Sequence, residues 1–116
     1  MSTDYQALIE KFIALVNEPD DTHRRAGIDE LFTESPEYCD PDIQTVGKDG
    51  LAAHLNKLRA GFPPGVSFYL TDKVNGHHDQ AQFKWAFGVP GSPFAGGTDV
   101  VVLEGGRIKR LHAFFN

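Results

Sequence analysis

Two carboxylates, Asp40 and Asp99, each interrupt an otherwise apolar strand pattern in this 116-residue chain. Carboxyl groups that enter one apolar pocket are driven to different protonation states, which supplies an acid and a base at a single pH. Such a pair could move a proton without a cofactor. Each residue also has a plainer reading. Asp40, followed by Pro41, is a turn or bulge residue whose carboxylate bonds nearby amides, and Asp99, after Gly96-Gly97-Thr98, sits at a solvated strand end. His54, between Leu51 and Leu55, defaults to a helix surface; tipped into a cavity it becomes a third proton-transfer group. Strand alternation sends Cys39 to the face opposite Asp40, where it reads as a small buried hydrophobe rather than a nucleophile.

Other chemistries lack their residues. His77 and His78 are neighbours in a turn, and no His-x-His or His-x-x-x-His spacing converges two imidazoles on a metal. Gly91 to Gly97 lies between strands with no following helix, so no phosphate loop forms and no cofactor is expected. Sixteen acids against 11 Lys and Arg, the latter scattered, argue against a nucleic-acid surface. The longest apolar runs, Phe12 to Val16 and Val100 to Leu103, fall far short of the ~20 residues that span a bilayer. Met1-Ser2-Thr3-Asp4 has no basic or apolar leader pattern, and a single cysteine cannot pair internally, so a cytoplasmic location is expected.

The elements that must position these groups can be read from periodicity. Tyr5, Leu8, Ile9, Phe12, Ile13 and Val16 make one helical face, with Thr3 and Gln6 spaced as a capping box. After the breaker cluster Asn17 to Thr22, whose Asp or Thr could cap the next helix, Ile28, Leu31 and Phe32 mark a shorter helix that pairs with the first. Ser35-Pro36 ends it, and residues 37–43 read as an irregular edge strand because Pro41 cannot donate to a ladder. A third helix carries Leu51, Leu55, Leu58 and Phe62 on one face, begins near Asp49 and stops at Gly61 and Pro63-Pro64. Beyond Val66 the period becomes two. Residues 66–74 and 80–89 flank a turn at Asn75-Gly76, Pro90 to Pro93 is a wider loop, and Gly105-Gly106 joins 98–104 to 107–115. Helices followed by a strand meander imply one α+β domain over residues 1–116, its helices on one face of a curved sheet.

The order of these elements, with Ile9-Glu10-Lys11-Phe12 and Asn17, Tyr38-Cys39-Asp40-Pro41, Gly47-Lys48-Asp49-Gly50-Leu51, Lys84-Trp85, Gly97-Thr98-Asp99 and Gly105-Gly106-Arg107-Ile108, resembles the nuclear transport factor 2-like superfamily. Its SnoaL-like polyketide cyclase and ketosteroid isomerase branches are the most similar. The resemblance implies a cone-shaped curved antiparallel sheet wrapped around a helical layer, a cystatin-like or SnoaL-like α+β barrel with an internal apolar pocket, in proteins that pair as homodimers through the outer sheet face.

By the same resemblance Asp40 is the proton-shuttling base and Asp99 the protonated donor to the substrate oxygen, as in ketosteroid isomerase, a worked case of carboxyls tuned apart. Phe12 occupies the position of the isomerases' oxyanion-hole tyrosine, and a phenyl ring donates nothing. No Arg-x-Asp occurs, the pair that the superfamily's epoxide hydrolases carry. The SnoaL-like cyclase pattern fits best. Wall residues implied for a hydrophobic small-molecule ligand are Phe12, Tyr38, His54 and Leu58 from the first half of the chain. From the strands come Phe83, Trp85, Phe87 and Val101, then Leu111, Ala113 and Phe115. Core packing alone also accounts for Phe83, Trp85 and Phe87 at period two, and His112 and Phe114 point the other way, Phe114 toward a dimer surface. The sequence thus predicts a cofactor-independent proton-transfer enzyme, isomerase or cyclase in type, acting on a hydrophobic carbonyl compound. The alternative is a non-catalytic binding or dimerisation domain of the same fold.

Overall fold

The computed structural model describes residues 3–116, so Met1 and Ser2 of the N-terminal reading lie outside it. Helices α1 (Tyr5–Asn17), α2 (Asp21–Leu31) and α3 (Lys48–Ala60) pack on a curved, unclosed sheet. Its strands are β1 (Phe32–Cys39), β2 (Gln44–Val46), β3 (Ser67–Leu70), β4 (Asn75–His77), β5 (Gln80–Val89), β6 (Ser92–Glu104) and β7 (Arg107–Phe115). They run in the order β2-β1-β7-β6-β5-β3, with β4 also on β5. The sheet is mixed rather than antiparallel throughout, because β1 lies parallel to β7, Tyr38 opposite Leu111. Among the described residues no helix is long and apolar enough to cross a membrane.

Local chemistry sets the helix ends. Asp4, not Thr3, caps α1 by accepting from Ala7 N at 3.0 Å, and Asp20 caps α2 by accepting from His23 N at 3.0 Å. Gln6 leaves the expected capping box because its side-chain oxygen accepts from Val74 N at 2.9 Å, tying α1 to the far side of the sheet. Arg24, fully buried, bonds Asp21, Asn56 and the Glu18 carbonyl, and so pins α3 to the α1–α2 hairpin. Asn17 finishes α1 by giving its amide to Phe68 O (2.8 Å) and taking Phe68 N (2.9 Å), which satisfies the exposed edge of β3.

Three strand boundaries differ from those the sequence predicts. Phe32 turns extended directly after α2, so β1 begins there and ends at Cys39, leaving Asp40-Pro41 in the connection to β2. Pro36 is accommodated inside β1 by a register shift against β7 between Phe32 and Glu37. The hairpin turn falls at His78-Asp79, both at positive φ (49° and 59°), while Asn75-Gly76 are already in β4. Gly76 is there for a close approach instead: a Cβ would stand 2.4 Å from the Tyr5 ring. Finally, Pro90-Gly91 is a tight turn and β6 starts at Ser92, which puts Asp99 in mid-strand instead of at a solvated end. A bulge at Gly88 (φ 152°) bends β5 where that turn begins.

Candidate functional site

Between α1, α3 and the concave face of the sheet lies a cavity of about 890 Å³, within the size range of pockets that take drug-sized ligands. Its far wall is aromatic. Phe62, Phe68 and Phe87 meet with ring centroids 4.5–5.6 Å apart, Phe68 stands edge-on to Trp85 at 5.1 Å, and Phe115 closes on Trp85 at 5.8 Å. Phe12 reaches the cavity from α1, held by edge contacts to Phe32 and Phe83. Such rings bury large area with defined orientation, so the walls are stiff.

Two polar poles interrupt this lining. At the first, β1 alternation brings Tyr38 to the cavity wall and leaves Cys39 off it, and Asp40, the first residue of the β1–β2 connection, returns to the Tyr38 side. The β1–β2 connection then fixes the carboxylate. Asp40 Oδ1 accepts from Asp42 N (2.8 Å) and Ile43 N (3.0 Å), while Oδ2 accepts from the Tyr38 hydroxyl at 2.6 Å. The two oxygens of Asp40 therefore face different surroundings: Oδ1 builds the turn, as its plainer reading has it, and Oδ2 lies on the cavity side. His54 leaves the α3 surface and lines the cavity, its Nε2 3.3 Å from the Tyr38 hydroxyl and 3.4 Å from Asp40 Oδ2. The Asp40 side chain is 5% exposed and that of His54 16%, so the imidazole is the more open of the two. Burial, with the Asp40 hydrogen bond and charge added, pushes the Tyr38 hydroxyl far above its ordinary range, so it remains a donor.

The second pole is Asp99 on β6, only 6% exposed. Trp85, opposite Gly97 on β5, donates its indole N–H to Asp99 Oδ1 at 2.7 Å. Gly97 makes this possible: a Cβ there would stand 2.6 Å from the indole and 2.1 Å from the Phe114 carbonyl. Burial raises the Asp99 carboxyl to about 7; the Trp85 hydrogen bond opposes that rise and the Asp40 charge adds to it. A neutral Asp99 has one oxygen on Trp85 and an O–H to offer the cavity.

Of the residues anticipated for the site, Asp40, Asp99, Phe12, Tyr38, His54 and Leu58 are on the cavity wall, as are Phe83, Trp85, Phe87, Ala113 and Phe115. Val101 and Leu111 are not. They share the inward strand faces but lie farther along the strands, fully buried in the core. Ile13, Val16 and Phe68 line the cavity without having been anticipated. Ile13 and Val16 sit on the helical face already assigned to the core, and the alternation Val66-Phe68-Leu70 was the available signal for Phe68. Among the described residues no three His, Cys, Asp or Glu side chains converge as a metal site.

No family model and no curated protein matches the sequence. Solved structures do. The chain is similar to a SnoaL-like family protein from Agrobacterium tumefaciens str. C58, named as a candidate isomerase, at 33% identity over 97% of each chain with a TM-score of 0.88. It is also similar to an NTF2-like protein of unknown function from Cytophaga hutchinsonii (16% identity, 100% and 93% of the two chains, TM-score 0.73). A candidate polyketide cyclase from Sinorhizobium meliloti gives 16% identity, 92% and 93% coverage and a TM-score of 0.72. The last two establish the fold alone; the first, with one third of its residues identical along nearly the whole length, establishes that this chain belongs to the SnoaL-like family.

Proposed function

We propose that this protein is a cofactor-independent proton-transfer enzyme, isomerase or cyclase in type, acting on a hydrophobic carbonyl compound inside the aromatic cavity. The observation that supports this reading best is the presence of two carboxyls of different character on one cavity wall, Asp40 anchored by two backbone amides and Asp99 raised to about 7 by burial. Asp40 Oδ2 takes a proton from a carbon next to the carbonyl. The C–H electron pair remains on the substrate as an enolate, and the Asp99 O–H donates to its oxygen. Return of a proton to a different carbon completes an isomerisation, and attack by the same enolate on a second carbonyl completes a cyclisation. Phe12 gives the enolate oxygen no second donor, so Asp99 bears this task without the partner whose loss elsewhere costs ~2.7–4 kcal/mol.

A simple cyclic β,γ-unsaturated ketone, cyclohex-3-en-1-one, tests the reading, since its conversion to the conjugated enone is followed by ultraviolet absorbance. Wild-type protein is expected to exceed the buffer rate, and Asp40→Asn to lose at least ~10²-fold of that excess, the usual worth of a positioned base. Equal rates in wild type and Asp40→Asn, with the variant folded, would sink the proposal.

A further inference from the structure

We infer that Asp40 does not hold the abstracted proton alone, and that His54 passes it to solvent, so that turnover exchanges the migrating hydrogen with water. This rests on the proton-transfer reading above and specifies where the proton goes. Tyr38 has one hydroxyl proton, and the 2.6 Å contact places it on Asp40 Oδ2. His54 Nε2 then stands within 3.4 Å of both oxygens. When Asp40 Oδ2 accepts a proton from carbon, the carboxylate no longer needs the Tyr38 donor. The new Oδ2–H turns toward Tyr38 or His54, and the Tyr38 O–H turns toward Nε2.

In the Nδ1–H tautomer, Nε2 takes the proton, either directly from Asp40 or from Tyr38 as Tyr38 is reprotonated by Asp40. The resulting imidazolium loses one proton to water. A solvent proton then returns by the same route, from water to His54 and from His54 to Asp40 Oδ2, and Asp40 delivers it to the γ carbon of the enolate and so returns to the carboxylate. No proton or electron pair is left over, and no co-reactant beyond water is required. His54 is the group suited to this exit because its ring is more open than Asp40, which is enclosed by the turn. The other titratable groups on the cavity wall are Asp42 from the β1–β2 connection, Lys57 from α3 and Asp99 from β6. Asp99 is hydrogen-bonded to Trp85 and has no hydrogen bond to this cluster.

The experiment repeats the enone conversion in D₂O and reads deuterium at the γ carbon by NMR at early conversion, before product exchanges. Wild type is expected to place solvent deuterium there in most turnovers. His54→Gln keeps a polar amide but cannot carry a proton, and should shift the outcome several-fold toward retained protium, with a smaller change in overall rate. Retained protium in the wild type, or the same deuterium content in wild type and His54→Gln, would overturn the inference. The His54 ring resonances are titrated in parallel in wild type, Asp40→Asn and Tyr38→Phe. A His54 titration curve that moves in Asp40→Asn is expected, and an unmoved one overturns the coupling even where no ketone turns over. Absence of turnover with a moved curve would instead remove the catalytic reading, and with it the exchange of substrate hydrogen.

Discussion

Asp99 links the chemistry of the cavity to the stability of the fold. Its carboxyl is neutral in the folded state up to about pH 7, yet ionises near 3.8 when free. A raised acid pKa means that the folded protein binds more protons than the unfolded chain between those values. The stabilisation is complete below 3.8 and is lost as pH rises toward and through about 7. The span corresponds to on the order of 4 kcal/mol, an upper figure for a site that water can enter. Asp99→Asn keeps a neutral oxygen for Trp85 and should flatten this slope. Urea unfolding at pH 5 and pH 8 is therefore expected to show the variant gaining on wild type at the higher pH. In the proposed proton transfer the same proton stabilises the enolate, so turnover of the ketone by the wild type should decline above about pH 7. Both carboxylates stood out in the sequence against apolar strand patterns, Asp99 from within a strand and Asp40 from just past the end of one. The split roles of the two Asp40 oxygens were not, because they depend on backbone amides of Asp42 and Ile43 that only the folded turn presents.

At the scale of elements, the helices could be read closely and the strand ends could not. A period of 3.6 marks a buried helical face wherever the helix lies, so α1 and α3 followed from Ile9, Phe12, Leu51 and Leu55. Strand limits depend on partners. Glycines that look like turn signals in sequence prove to be close approaches, Gly76 beneath the Tyr5 ring and Gly97 beneath the indole. Gly97→Ala tests the second. A methyl there meets the Phe114 carbonyl at 2.1 Å and Trp85 at 2.6 Å, so either the β6–β7 ladder opens or the indole leaves Asp99. A loss of roughly 1–3 kcal/mol in urea unfolding is expected, the usual cost of overpacking. Trp85 is the single tryptophan, so a shift of fluorescence to longer wavelength would report its displacement. An unchanged spectrum and stability would show that the sheet absorbs the methyl elsewhere.

The whole molecule is an α+β cone in which the cavity has one pole on β1 and the other on β6. The sequence conveyed the layers and the family resemblance. It did not convey the parallel pairing of β1 with β7, since a meander read locally gives only antiparallel neighbours and this contact joins segments far apart in the chain. That contact also governs when the cavity exists. Asp40 and Asp99 are not neighbours through β1 and β6 directly; β7 lies between them in the sheet. They reach one wall only after the long chain segment between Tyr38 and Leu111 has been closed into a loop, and such closure is entropically late in folding. The β5–β6–β7 meander, built from local hairpins, can form beforehand. Leu111→Ala, at a fully buried site on the β1–β7 seam, should therefore destabilise by ~2–5 kcal/mol. Stopped-flow refolding should register most of that loss as faster unfolding rather than slower folding. The aromatic cavity is thus a late product of assembly, and a partly folded molecule would hold an intact meander with Asp99 on it and no Asp40 in place opposite.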